Sequence, residues 1–149
     1  MNKQGFLILL TTTFLILCIF HTDRLYAVTN DNLVINAEGF FNDNGQAIAK
    51  LFREGDKIPS RPFLTVKSAI QNKTAILTFK DLPYGEYAVI VYHDSNSNDK
   101  VDHNWMRFPE EQLGFSGGFK ISLTSGMPTF KKLKFRFFEH QQSFSVTVN

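Results

Sequence analysis

Apolar and polar positions alternate from residue 33 onward: Leu33, Ile35 and Ala37 fall on one side of an extended chain, Val34, Asn36 and Glu38 on the other. Period-two alternation predicts a strand with one face buried. Asn42-Asp43-Asn44-Gly45 interrupts it with residues that tolerate positive φ, and 46–53 (QAIAKLFR) then reads as the returning strand of a hairpin. Residues 54–62 make a polar connection in which Pro59 and Pro62 cannot donate to a ladder. A strand over 63–70 follows, closed by a turn at Gln71-Asn72-Lys73. The run 74–79 (TAILTF) is rich in β-branched and aromatic residues. Asp81-Leu82-Pro83-Tyr84-Gly85 ends that strand in a corner, with Gly85 in a backbone conformation closed to larger residues. Residues 86–93 (EYAVIVYH) are apolar on both parities, which predicts a central strand covered on both faces. A polar loop of about 25 residues runs from Asp94 to Gly118, a length that is uncommon unless the loop is functional. Closing strands are expected over 119–123, 130–138 and 144–148, and no stretch carries sustained helical periodicity. The pattern predicts an all-β protein, an antiparallel β-sandwich of seven or eight short strands of the immunoglobulin type.

The first residues follow a different pattern. Lys3 precedes an uncharged run from Gly5 to Phe20 (GFLILLTTTFLILCIF), 16 residues long, short of the roughly 20 needed to span a bilayer. A basic start, an apolar stretch and Ala27 beyond it predict a secretory signal peptide over 1–27, an uncleaved anchor being the alternative. Residues 28–149 then form a single domain, exported to the periplasm or the cell exterior. Cys18, the one cysteine, lies inside the apolar run, so the exported chain has no thiol for disulfides, thiolate catalysis or cysteine–zinc sites. The formal charge of +2 is dispersed along the chain, which argues against a nucleic-acid footprint. Most of the 16 phenylalanines recur at strand spacing and are assigned to the core rather than to a ligand platform. Lys131, Lys132, Lys134 and Arg136 read as a solvated strand face.

Candidate chemistry gathers in the long loop. Calcium takes six to eight oxygen ligands, and one turn can supply them from alternate positions. With Asp94 at position 1, Asn96 falls at 3, Asn98 at 5, the Lys100 carbonyl at 7 and Asp102 at 9. Val101 supplies an apolar anchor. The pattern departs from an EF-hand loop at position 6, where Asp99 replaces glycine, and at position 12, where Trp105 replaces a bidentate glutamate. Glu110 or Glu111 serves in its place only if the loop folds back. The competing reading is an Asx-rich turn without metal.

The segments Phe79-Lys80-Asp81-Leu82-Pro83-Tyr84-Gly85-Glu86-Tyr87-Ala88-Val89, Tyr92-His93-Asp94-Ser95-Asn96-Ser97-Asn98, Val101-Asp102, Phe108-Pro109-Glu110-Glu111, Gly114-Phe115-Ser116 and Met127-Pro128-Thr129-Phe130 together resemble the DUF2141 family of exported bacterial proteins. The first of these also resembles transthyretin-like and Cna-B-like sandwiches, where it forms the corner between two core strands. The resemblance implies a β-sandwich and no particular activity. A hydrolase using His93, Asp94 and the nearby Asp102, His103, Glu110 and Glu111 is one reading, since such groups can act as base, orienter and acid. Against it, Gly-x-Ser-x-Gly is absent, Gly114-Phe115-Ser116-Gly117 being one residue short, and His93 and His103 lack a zincin spacing. The favoured expectation is a non-enzymatic envelope module with a calcium-ordered loop. It binds an unidentified protein or glycan of the cell envelope, and neither nucleic acid nor, once the signal is removed, a membrane.

Overall fold

The computed structural model describes residues 29–106, 109–122 and 124–149, so the predicted signal over 1–27 lies outside the described residues. Eight strands form among them: β1 (Asn30–Glu38), β2 (Gln46–Phe52), β3 (Leu64–Ser68), β4 (Thr74–Pro83), β5 (Gly85–Asp94), β6 (Leu113–Phe115), β7 (Phe135–Phe137) and β8 (Ser143–Thr147). Among the described residues helix is limited to a 3₁₀ turn, Ser116–Gly118, and one turn, α1 (Phe130–Leu133). With 51% strand against 6% helix, the fold is all-β.

Two sheets face each other. One has the order β4-β1-β8; the other runs β3-β2-β5-β6, with β7 pairing the start of β5 on the same side as β6. Side-chain alternation sends Leu33, Ile35 and Ala37 of β1, Ala75, Leu77 and Phe79 of β4, and Tyr87, Val89 and Val91 of β5 into a shared core between the sheets. In β4 the alternation shifts at Asp81. There φ is +53° and an extra residue opposes β1, and this bulge turns Leu82 inward in place of residue 81.

The central strand β5 is covered on both faces, as its double-parity apolar run predicts. Its outward-facing Ala88 and Ile90 join Phe52, Phe115 and Leu133 in a second, smaller core on the far side of the sheet. Segments after β5, including the 3₁₀ turn and α1, lie over that face.

Several expectations are corrected. β1 and β2 do not form a hairpin: both edges of β1 are taken by β4 and β8, and the Asn42–Gly45 turn carries the chain to the opposite sheet. Gly45 (φ +72°) packs so closely on the end of β5 that an added Cβ would lie 2.1 Å from the Asp94 carbonyl oxygen. The strands are not all antiparallel, because β8 runs parallel to β1. The predicted corner is a bulge, and it is Asp81, not Gly85, that holds the positive φ. Residues 119–122 form no strand, because Phe119 turns onto Phe115, edge to face at 5.3 Å, in the outer core. Residues 130–133 are helical, a turn closed by the Lys134 amide donating to the Phe130 carbonyl (2.8 Å) and by burial of Leu133. Within the polar loop, residues 113–115 form β6 and pair with Ile90, Val91 and Tyr92.

Candidate metal-binding turn

Asp94 closes β5 with its side chain on the outer face, fully buried. Its Oδ1 accepts the Asn98 amide (3.0 Å), and its Oδ2 accepts the Asp99 amide (3.0 Å) and Gln46 Nε2 (2.7 Å). One carboxylate therefore folds the chain back over itself. Two further Asx contacts continue the turn: Asn96 Oδ1 accepts the Asn98 amide (3.1 Å) and Asn98 Oδ1 the Lys100 amide (2.8 Å). Asp99 adopts φ +67°, the left-handed conformation that the missing glycine would supply, and Ser97 does the same at +58°.

Asp102 reaches the same turn. Its Oδ2 accepts Asn96 Nδ2 (2.7 Å), and Asn98 Nδ2 donates to both of its oxygens (3.0 and 3.1 Å). Four of the five residues proposed as ligands, Asp94, Asn96, Asn98 and Asp102, are thus linked through this turn. Lys100 takes part through its amide, and no contact to its carbonyl is resolved.

Beyond Asp102 the chain loops out and returns. The Glu110 amide donates to the Asp102 carbonyl (2.9 Å) and His103 bridges Pro109, so the next residue, Glu111, is delivered back beside the turn. Glu110 itself is exposed. Both carboxylate oxygens of Glu111 are shielded from solvent, and among the described residues no side chain pairs with either. Burial pushes the Glu111 carboxyl above its usual range, the negative charges of Asp94 and Asp102 add to the rise, and the nearby Asp102 and Ser95 amides oppose it. Tyr92, whose hydroxyl donates to the Asp99 carbonyl (3.1 Å), lies in the same negative field. Burial first, then Asp94, Glu111 and Asp99, push its phenol up to about 12. Among the described residues no three His, Cys, Asp or Glu side chains sit in metal-holding geometry, so the two asparagines are essential to any oxygen cage here.

His93 and Asp94 do not lie together. As successive strand residues they face opposite sides of the sheet. The His93 ring is buried between the sheets, edge to face with Phe40 (5.5 Å), and Nε2–H donates to the Asn44 carbonyl (2.8 Å). His103 is exposed.

A bacterial protein family, described as an uncharacterized protein conserved in bacteria (DUF2141), matches residues 35–145. The chain belongs to the DUF2141 family. The DUF2141 span begins within β1, ends within β8 and takes in the whole Asp94–Asp102 turn together with Glu111. No curated protein and no solved structure matches the chain.

Sequence reasoning placed the turn and missed its supports. Gln46 of β2 bridges Asp94 and Asp99, and Lys67 of β3 pairs with Asp99 at 2.5 Å. Neither carries a local motif, since both reach the turn only through strand pairing. Glu111 did carry a signal, the empty twelfth position, but its return depends on the Asp102–Glu110 contact.

Proposed function

We propose that this DUF2141 protein is a non-catalytic, exported envelope module whose Asp94–Asp102 turn binds calcium. Asp94, Asn96, Asn98 and Asp102 supply side-chain oxygens and Lys100 its carbonyl. Glu111, which does not stand in metal-holding geometry with Asp94 and Asp102 in this structure, would close onto the turn to contribute the carboxylate that Trp105 cannot. The observation that carries this reading is the pair of shielded Glu111 oxygens beside Asp94 and Asp102, which no cationic side chain neutralises among the described residues. Buried polar groups are ordinarily hydrogen-bonded, and a buried carboxylate facing two others is costly without a cation. The role of a filled site is to order the long loop as a contact surface for an envelope protein or glycan.

Calcium binding should raise the melting temperature by mass action. With a dissociation constant on the order of 10⁻⁴–10⁻³ M, as in extracellular modules, about 5 mM calcium adds ~1–2 kcal/mol. For a domain of this size that is ~4–8 °C. Asp94→Ala should abolish the increment. Glu111→Gln should abolish or greatly reduce it while leaving the protein in chelator at least as stable as wild type, because it removes an uncompensated buried charge. No calcium-dependent rise in wild type would return the segment to an Asx turn. The non-catalytic reading is supported by the opposite facing of His93 and Asp94; an ester, phosphate or glycoside hydrolysis lost in Asp94→Ala would overturn it.

A further inference from the structure

The outer face of the β2–β5–β6 sheet is only partly filled. Near α1 the second core closes over Phe52, Ala88 and Leu133. Toward the loop end, Ile90, Tyr92 and Phe115 form the floor of an open apolar cavity of about 400 Å³, walled by Val101 on one side and by Met127 on the other. The rim is uncovered, with Met127 70% and Ile121 40% exposed. A volume near the lower end of the ligand-pocket range, with apolar walls and few polar groups, suits a small organic molecule.

The charged groups on the lining are asymmetric. Lys50, Lys100 and His103 stand against one carboxylate, Asp99, which already accepts from Lys67 (2.5 Å) and Gln46 (2.9 Å). Lys50 projects from β2 into the cavity, its Nζ 4.9 Å from the centre of the Tyr92 ring, and forms no ion pair among the described residues. Half-buried as it is, the ammonium is partly desolvated, and burial lowers its pKa. An anion placed beside it would relieve that cost, while an apolar body would cover the exposed rim at Ile121 and Met127.

We propose that this cavity binds a small amphipathic monocarboxylate, with an apolar body of about seven to nine carbons in the cavity and its carboxylate on Lys50. The site adjoins the Asp94–Asp102 turn, with Asp99, Lys100 and Val101 bordering both. Its occupation does not depend on the metal, so binding is expected in chelator too.

The experiment is calorimetric titration of the purified protein with octanoate, 1-octanol and butyrate in chelator, with amide chemical shifts recorded in parallel. A ligand of about ten non-hydrogen atoms in a preformed pocket should bind with a dissociation constant on the order of 10⁻⁴ M. Octanol, lacking the charge, and butyrate, lacking most of the body, should each bind at least about tenfold more weakly. Lys50→Met should bring octanoate down to the level of octanol, and Met127→Trp, a change on the exposed rim, should weaken octanoate and octanol alike. Shifts should centre on Lys50, Ile90, Tyr92 and Leu113. Three results would each overturn the proposal: no octanoate binding up to about 10 mM, a hundredfold above the expected constant; equal octanoate affinity in wild type and Lys50→Met; or shifts confined to other surfaces. Loss of the calcium effect with octanoate binding intact would remove the metal reading alone.

Discussion

Strand β5 divides the molecule into two regions built by different means. Its inner face meets residues that alternate along β1, β2, β4 and β8, and the resulting core is continuous and closed. Its outer face is covered by irregular chain after Asp94, and the buried cluster there has five members, with a cavity beside it. One side is specified largely by repetition, and most apolar residues there have a strand position that fixes where they point, Phe40 and Ile70 joining from connecting segments. The other side is assembled from single contacts such as Ser116 Oγ donating to the Leu133 carbonyl (2.6 Å) and Phe119 against Phe115. The polar chemistry collects on this second side: Asp94, Glu111, Tyr92 and Lys50 all lie there. A regular core leaves little room for an unpaired carboxylate; an irregular cover can hold one.

The contrast is broken most directly by truncating each side. Phe137→Ala, at a fully buried ring of the inner core that meets Tyr84 and Tyr87 edge to face, should cost about 3–5 kcal/mol in denaturant unfolding. The half-buried Phe119, on the outer side, should cost about 1–2 kcal/mol, since less surface is returned to water. Equal losses would mean that the outer cover is as tightly built as the inner core. Between these stands Gly45→Ala. It forces a Cβ against the Asp94 carbonyl at a left-handed φ and should cost about 2–3 kcal/mol while disturbing the Asp94–Asp102 turn, which on the proposed reading shows as a smaller calcium-induced rise in melting temperature.

A smaller effect sharpens the electrostatic side. The Glu111 pKa is raised in the folded protein, so between the ordinary glutamate value of 4.5 and the raised one the folded state holds more protons than the unfolded state. In chelator, wild-type stability should therefore fall relative to Glu111→Gln as pH rises through that window, and the gap should close below it. Parallel pH profiles would show that Glu111 is not strained by its surroundings. The smallest change expected is Lys67→Met. This pair with Asp99 is largely exposed and holds the Asp99 carboxyl below its usual range, so the loss should be slight and vanish at high salt.

The inner region was legible in the sequence because period-two alternation is a direct record of which face is buried. Leu33, Ile35 and Ala37, the β4 run and the double-parity β5 all fell where the pattern put them. What the pattern could not show was partnership. The Asn-Gly turn reads as a hairpin because the dipeptide constrains four residues, whereas the parallel pairing that excludes a hairpin comes from Ser143 onward. The outer region was legible only in its Asx-rich turn, whose contacts are local. Phe119 and Phe130 carried strand-like neighbours but were recruited by the exposed far side of β5, a tertiary demand that no window of sequence contains. Glu111 and Lys50 gain their significance from what fails to neutralise them.

The parallel pairing of β8 with β1 also sets the order in which this molecule can be completed. Val34 waits for Ser143 and Ile35 for Phe144, so one edge of the first strand stays open until the last has been made. Val146 and Val148, which close the inner core, arrive at the same moment, and Leu113 exchanges backbone hydrogen bonds with Asn149 across the seam between the sheets. Contacts of such sequence separation make for slow folding and a long-lived, unpaired strand edge. A chain stopped before residue 143 would keep that edge permanently, which makes the final strand a lock against self-association as much as a part of the sheet.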